Sequence, residues 1–288
     1  MMQQFLVGLG AVDKEITFTI ALKGSGGDAS YRSAGQGGLT NATITVPESH
    51  IFKLYVATNS NPSPSNYYQG HDPSTQIIPG GAAGGGQGGG ASALVLTTSP
   101  KYSGSDFFIM GVGGGGGGSA VDPEGLGGPT MKTGAGGDGG GGNNPGGTGN
   151  WFPGNPDHGG PMNGTGGTGG QFPGSNGGQC GGPNADYLAR GGGGGGGFTK
   201  GNGGSTSFNE NQDDPSFSNQ GGGGGGGGRI NTGSIGGPIG VELTVTLNSA
   251  GTGSNANSPG SAVFTHPTKT TTYSTPGLYS VPVKSLVA

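Results

Sequence analysis

Apolar and small or polar residues alternate along Ile16-Thr17-Phe18-Thr19-Ile20-Ala21-Leu22. Side chains point to opposite faces at successive strand positions, so this text predicts a strand buried on one side. Thr43-Ile44-Thr45-Val46 and Ile51-Phe52-Lys53-Leu54-Tyr55-Val56 predict two more, with Pro47 at the turn between them. Ala93-Leu94-Val95-Leu96 and Phe107-Phe108-Ile109-Met110 follow. Near the other end, Ile239 to Leu247 gives the clearest alternation, and Ser261-Ala262-Val263-Phe264 and Leu278 to Val283 are further candidates, with Pro282 marking an edge. No stretch carries a helical period.

Between these flanks the pattern stops. The 117 residues from Gly113 to Arg229 hold 50 of the chain's 77 glycines but only 8 of its 47 Leu, Ile, Val and Phe residues. The flanks can therefore bury a conventional core and the centre cannot. Three parts follow: a β-rich part at 1–112, a glycine part at 113–229 and C-terminal strands at 230–288. Glycine loses more backbone freedom on folding than any other residue and has no side chain whose burial could offset the loss. Order in the centre must then come from pairing backbone N–H and C=O groups. An α-helix would pair them, but glycine is poor there. The extended helix of three residues per turn leaves these groups free to bond to neighbouring helices, which come close because no Cβ intervenes. The fold expected is thus mainly β plus non-regular structure, with N- and C-terminal antiparallel β segments flanking a bundle of packed polyglycine II helices. Thr165, Thr168 and Gln171 fall three apart among glycines, as such a helix requires. The runs at 113–118, 191–197 and 221–228 would span roughly 19–25 Å at about 3.1 Å per residue.

Charge and chemistry narrow the function. Eleven Lys and Arg face fifteen Asp and Glu, a formal net charge of -4. Nucleic acid and anionic membranes are therefore not the expected partners. No run approaches the roughly 18 apolar residues of a membrane-spanning helix. The apolar stretch from Met1 to Val12 lacks the basic start of a secretory signal. Cys180 is the single cysteine, so neither an intrachain disulfide nor a thiolate metal cluster is expected. His50, His71, His158 and His266 are scattered without metal-ligand spacing, and polyglycine generates dinucleotide-type glycine patterns by chance. Asp213-Asp214 has oxygen ligands suited to calcium, but a solvated loop is the favoured reading. Asn41-Ala42-Thr43 and Asn163-Gly164-Thr165 match the N-glycosylation acceptor. The chain carries no nucleophile–base pair, so no enzyme activity, cofactor or metal is expected.

Ile16 to Leu22, Lys23-Gly24-Ser25-Gly26-Gly27, Gly35-Gln36-Gly37-Gly38, Thr43 to Pro47 and Leu54-Tyr55-Val56 together resemble the opening of the glycine-rich domain family. Gly84 to Leu96 and Phe107 to Gly118 extend the resemblance, which covers about 16–250. Similar text occurs in glycine-rich adhesins and tail-fibre proteins of tailed bacteriophages, where polyglycine II helices pack in layers and their loops contact host receptors. It also occurs in the extracellular glycine-rich domain of the anaplastic lymphoma kinase group, which is disulfide-bonded and secreted.

The phage resemblance implies a non-enzymatic virion protein at the particle surface. Its partners would be other virion or tail proteins, a host cell-surface protein or glycan, and further copies of itself. The segments 143–158, 171–190 and 198–220 would supply recognition, with Trp151, Phe152, Phe172, Tyr187, Phe208 and Phe217 as anchors; the echo of Trp151-Phe152-Pro153-Gly154 in Phe172-Pro173-Gly174 draws attention to them. These aromatics are either staples packing on the bundle edge or exposed binding residues, and Trp and Tyr are enriched at the hot spots of binding surfaces. A purely structural virion or fibre component is the alternative. An ice-binding protein would need a flat, regular Thr or Ala face, which Thr165 and Thr168 alone do not make.

Overall fold

The structure, a computed structural model, describes residues 14–28, 34–58, 88–97, 107–116, 120–121, 136–147, 149, 151–152, 179–181, 188–190, 195, 197, 206–207, 219–221, 225–236 and 242–287. These are mainly β, with one short 3-10 turn at Val283–Leu286. The alternating text forms strands as expected: β1 (Glu15–Lys23), β2 (Gly37–Pro47), β3 (Ile51–Val56), β4 (Ser92–Thr97) and β5 (Phe107–Val112). Six short strands lie in the centre: β6 (Ala120–Val121), β7 (Trp151–Phe152), β8 (Gln179–Gly181), β9 (Leu188–Arg190), β10 (Thr206–Ser207) and β11 (Asn219–Gly221). The chain closes with β12 (Arg229–Ile230), β13 (Gly233–Gly236), β14 (Glu242–Ser254), β15 (Ser261–His266), β16 (Lys269–Tyr273) and β17 (Gly277–Pro282).

Two antiparallel sheets carry the core. One has six strands in the order β13-β14-β2-β1-β15-β16, the other five in the order β12-β5-β4-β3-β17. Each sheet thus mixes strands from both ends of the chain; Thr19 of β1, for example, is the register partner of Thr265 of β15. The inward residues of β1 and β2 (Phe18, Ile20, Leu22, Ile44 and Val46) pack with Phe52 and Leu54 of β3 and Leu94 of β4 in one hydrophobic cluster. Three phenylalanines tie the sheets at the centre. The Phe18 ring meets Phe52 edge-on at 5.8 Å between centroids and Phe264 at 5.6 Å, while Phe52 stacks on Phe264 at 6.5 Å.

The flank where β16 and β17 lie is closed by the final turn, whose Val283 and Leu286 are buried. Tyr273 and Tyr279 lean together there at 4.8 Å. Burial pushes the Tyr273 phenol above its ordinary range, and the neighbouring Tyr279 phenol adds to the shift. Thr271 faces inward beside this cluster, and its buried hydroxyl has no hydrogen-bond partner. A desolvated, unpaired hydroxyl costs free energy that a methyl group does not. Thr271→Val is therefore expected to leave stability unchanged or raise it by up to about 1 kcal/mol. Urea denaturation measures this, and a loss of similar size would show that the hydroxyl is paired after all.

Strands of both sheets run on into glycine segments that belong to neither. β1 continues into 24–27, β2 is preceded by 34–36, β4 by 88–90 and β12 by 225–228, and β5 continues into 113–116. Their backbone hydrogen bonds repeat every third residue. Gly24 and Gly27 donate to Gly38 and Gly35 at 3.0 Å each, whereas Ser25 and Gly26 between them donate to Gly90 and Ser258. Gly113 and Gly116 donate to Gly140 and Gly137, and accept from Gly38 and Gly35, at 2.8–3.0 Å. Gly114 and Gly115 turn elsewhere: Gly114 accepts from Gly226, and Gly115 donates to Ser25 and accepts from Gly89. Residues 113–116 are thereby bonded to five other segments, where a sheet strand has two neighbours at most.

The approach is close because there are no side chains. A Cβ on Gly113 would strike the Gly226 carbonyl, one on Gly115 the Gly35 carbonyl and one on Gly225 the Asp138 carbonyl. The few polar side chains brace this assembly. Ser92 Oγ donates to Lys23 O (2.7 Å) and accepts from Ala57 N (3.0 Å), joining the ends of β1, β3 and β4. Ser25 Oγ lies 2.8 Å from the Thr58 carbonyl and 3.2 Å from that of Gly90. Gly142 has φ +60°, a conformation costly for other residues, and there the chain reverses. Thr40 Oγ1 accepts from Gly142 N at 2.7 Å, and Asn143 Oδ1 accepts from Ile230 N at 3.0 Å, so the reversal is fastened to β2 and β12.

Candidate functional site

Several glycine segments end in the short central strands. β6 follows the run that starts at Gly113, β9 precedes the run at 191–197, and β11 ends in the run that leads to β12. Glycine alone cannot mark where such a segment stops; here the chain gains side chains and pairs as a ladder. The short strands assemble into two three-stranded antiparallel sheets, β6-β9-β8 and β10-β11-β7. β10 lies against β8 and β9, and β11 lies against β9. Strands far apart in sequence thus meet: Trp151 and Phe152 of β7 are register partners of Gly221 and Gln220 of β11. Cys180 of β8 partners Ala189 of β9.

This brings two of the expected recognition residues, Trp151 and Phe152, into a defined backbone position. Phe172, Tyr187, Phe208 and Phe217 lie outside the described residues, as do His71, His158, Asp213, Asp214 and the Thr165, Thr168 and Gln171 series. The chain between β7 and β8 is 153–178, that between β8 and β9 is 182–187, and that between β10 and β11 is 208–218. Each of these three segments therefore starts and ends on the paired short strands. Of the remaining histidines, His50 Nδ1 lies 3.3 Å from Ser49 Oγ and His266 Nδ1 lies 2.7 Å from Thr268 Oγ1. No group of three or more His, Cys, Asp or Glu side chains that could hold a metal occurs among the described residues. No helix among them is long and apolar enough to cross a membrane.

A second surface went unrecognised in the sequence. Threonine is the commonest residue at the outward positions of the six-stranded sheet, beside Ala21, Leu39, Asn41 and Val263. Thr246, Thr43, Thr19, Thr265 and Thr270 are consecutive register partners across β14, β2, β1, β15 and β16. Thr244, Thr45 and Thr17 form a parallel row two residues further along. Thr17 and Thr45 share a hydroxyl hydrogen bond of 2.8 Å, and Thr43 Oγ1 accepts from the Asn248 amide at 2.9 Å. Asn41 of the acceptor pattern lies on this face too, and its amide donates to Ser249 Oγ at 2.8 Å. The signal was legible as threonine at every second position in three strands, but only the register aligns those threonines into rows. On β1 the rows lie between Glu15, exposed at one end, and Lys23, half-buried at the other.

Comparison with known proteins adds no relative to this picture: no family model matches the chain, and no curated protein matches it.

Proposed function

We propose that this chain is a non-enzymatic structural and recognition protein of a virus particle, similar to the glycine-rich tail-fibre and tip adhesins of bacteriophages. In this reading the glycine segments are polyglycine II helices. They form a stiff bundle built on the β-sandwich, and the segments joining them meet a host surface protein or glycan. The observation that carries the proposal is the hydrogen-bond repeat of three. Gly113 and Gly116 share the same two partner segments while Gly114 and Gly115 bond to others, as outward-pointing groups on a helix of three residues per turn would. Such a bundle offers almost no side chains, so specific contacts fall to the joining segments. Those between the short central strands carry aromatic and polar residues, Phe172, Tyr187, Phe208 and Phe217 among them, and Trp151 and Phe152 stand on β7, where the first of these segments begins. Recognition then rests on shape, stacking and hydrogen bonds.

The test replaces 153–178, 182–187 and 208–218 one at a time by short Gly-Ser segments, with thermal melting to confirm that each variant folds. At least one replacement is expected to reduce attachment of the protein to host cells about tenfold or more. Unchanged attachment in all three would remove the adhesin reading. Labelling at regular lattice positions of the particle, away from any tip, would then favour the purely structural component.

A further inference from the structure

The threonine face of the six-stranded sheet has no covering layer of this chain among the described residues, and its residues are exposed or half-buried. We infer that it is a self-association surface, and that a second copy of this chain packs on it face to face about a two-fold axis through Thr19. The chemistry of the face selects the partner. Its rows are uncharged, so two copies can approach without like-charge repulsion. Small β-branched side chains make a shallow relief that allows two sheets to stack about 10 Å apart. No aromatic residue projects from the rows to serve as a sugar platform, and no cluster of charge invites nucleic acid or an acidic surface.

The two charged positions at the ends of β1 fix the direction. Outward residues of this strand run Glu15, Thr17, Thr19, Ala21, Lys23. A two-fold axis lying in the interface across the strands at Thr19 sets Glu15 of one copy opposite Lys23 of its partner, twice by symmetry. Parallel stacking would instead set Glu15 on Glu15 and Lys23 on Lys23. Self-complementarity of one patch is what a two-fold interface requires. β1 and β2 run into glycine segments at the Lys23 end, so the antiparallel arrangement sends the glycine ends of the two copies in opposite directions.

The patch is small for an interface. Five strands about 4.8 Å apart, from 5 to 13 residues long and averaging about nine, cover roughly 600 Å² per copy, or about 1,200 Å² in all. That is the lower edge of specific interfaces, where weak and transient complexes lie, and with no aromatic anchor in the rows a dimer in the micromolar range is expected. The inference does not depend on the proposed function.

Sedimentation equilibrium on the full chain between about 1 and 500 μM tests it, bracketing that affinity range. A monomer–dimer equilibrium is expected. Thr19→Glu, which sets two carboxylates against each other at the axis, should abolish it. Glu15→Lys and Lys23→Glu should each weaken the dimer at least about tenfold, and the double variant E15K/K23E should restore it. Melting curves confirm that each variant folds. A wild-type monomer throughout the range overturns the inference and leaves the face to a different protein. A dimer that ignores Thr19→Glu and the charge exchanges overturns it equally, because the interface then lies elsewhere.

Discussion

Gly113→Ala is expected to destabilise the protein by about 3 kcal/mol although it adds a single methyl group. For a chain of this size that corresponds to a melting temperature lower by roughly 6–12 °C. The added carbon would meet the carbonyl of Gly226, which is itself held by the amide of Gly140. Backbone fixed on several sides cannot move aside as a flexible side chain would. Gly225→Ala, facing the Asp138 carbonyl, should behave alike. Gly251 in β14 has nothing within 4 Å of the corresponding position, so Gly251→Ala serves as the control and should stay within about 0.5 kcal/mol of wild type. If Gly113→Ala and Gly225→Ala melt like Gly251→Ala, the glycine segments are not packed backbone to backbone.

Phe18→Ala should cost about 3–5 kcal/mol, the range for removing a buried aromatic ring from a core. Phe18 is fully buried on the six-stranded sheet and touches Phe52 of the opposite sheet and Phe264 of its own. The truncation therefore opens a cavity between the layers and also removes two ring contacts. Phe18→Leu keeps most of the volume and should cost clearly less. Urea denaturation followed by tryptophan-independent far-UV signals measures both. A cost near 1 kcal/mol for the alanine variant would mean that the two sheets do not close on each other at this ring.

Much of the sandwich was legible because β1, β2 and β15 are buried at alternate residues and β3 is a short apolar run buried on both faces. The expected 51–56 strand is β3 itself, and the expected 16–22, 93–96 and 107–110 strands sit inside β1, β4 and β5. Three strands of the two sheets escaped the pattern for physical reasons, the first, β12, because two residues are too few to alternate. β16 reads Lys-Thr-Thr-Thr-Tyr because an edge strand beside a closing turn buries little. β13 reads Gly-Ser-Ile-Gly, too short and too glycine-rich to alternate. β14 was expected to end at Leu247 but runs to Ser254. Its register shifts between Leu247 and Ser249, and from there it follows β2 with outward-facing polar residues. Pairing was less legible than placement. Nothing in the text of β1 announces a partner 246 positions away, and the threonine rows exist only through that pairing. In the centre, composition pointed to backbone pairing without saying which glycine meets which, since identical residues carry no address.

That last property bears on the order of folding. A ladder made only of glycine can slide by three residues and recover the same bonds, so its alignment must be imposed from outside. The sandwich strands that enter the glycine segments supply it, each arriving at a fixed height set by its hydrophobic partners. β1 cannot be flanked on both sides until β15 is available, with almost the whole chain between them. Long-range pairing of this kind is slow. The glycine segments should therefore acquire amide protection last, and only once the C-terminal strands have docked, behaving as a tensioned cord that holds its pattern while both ends are anchored.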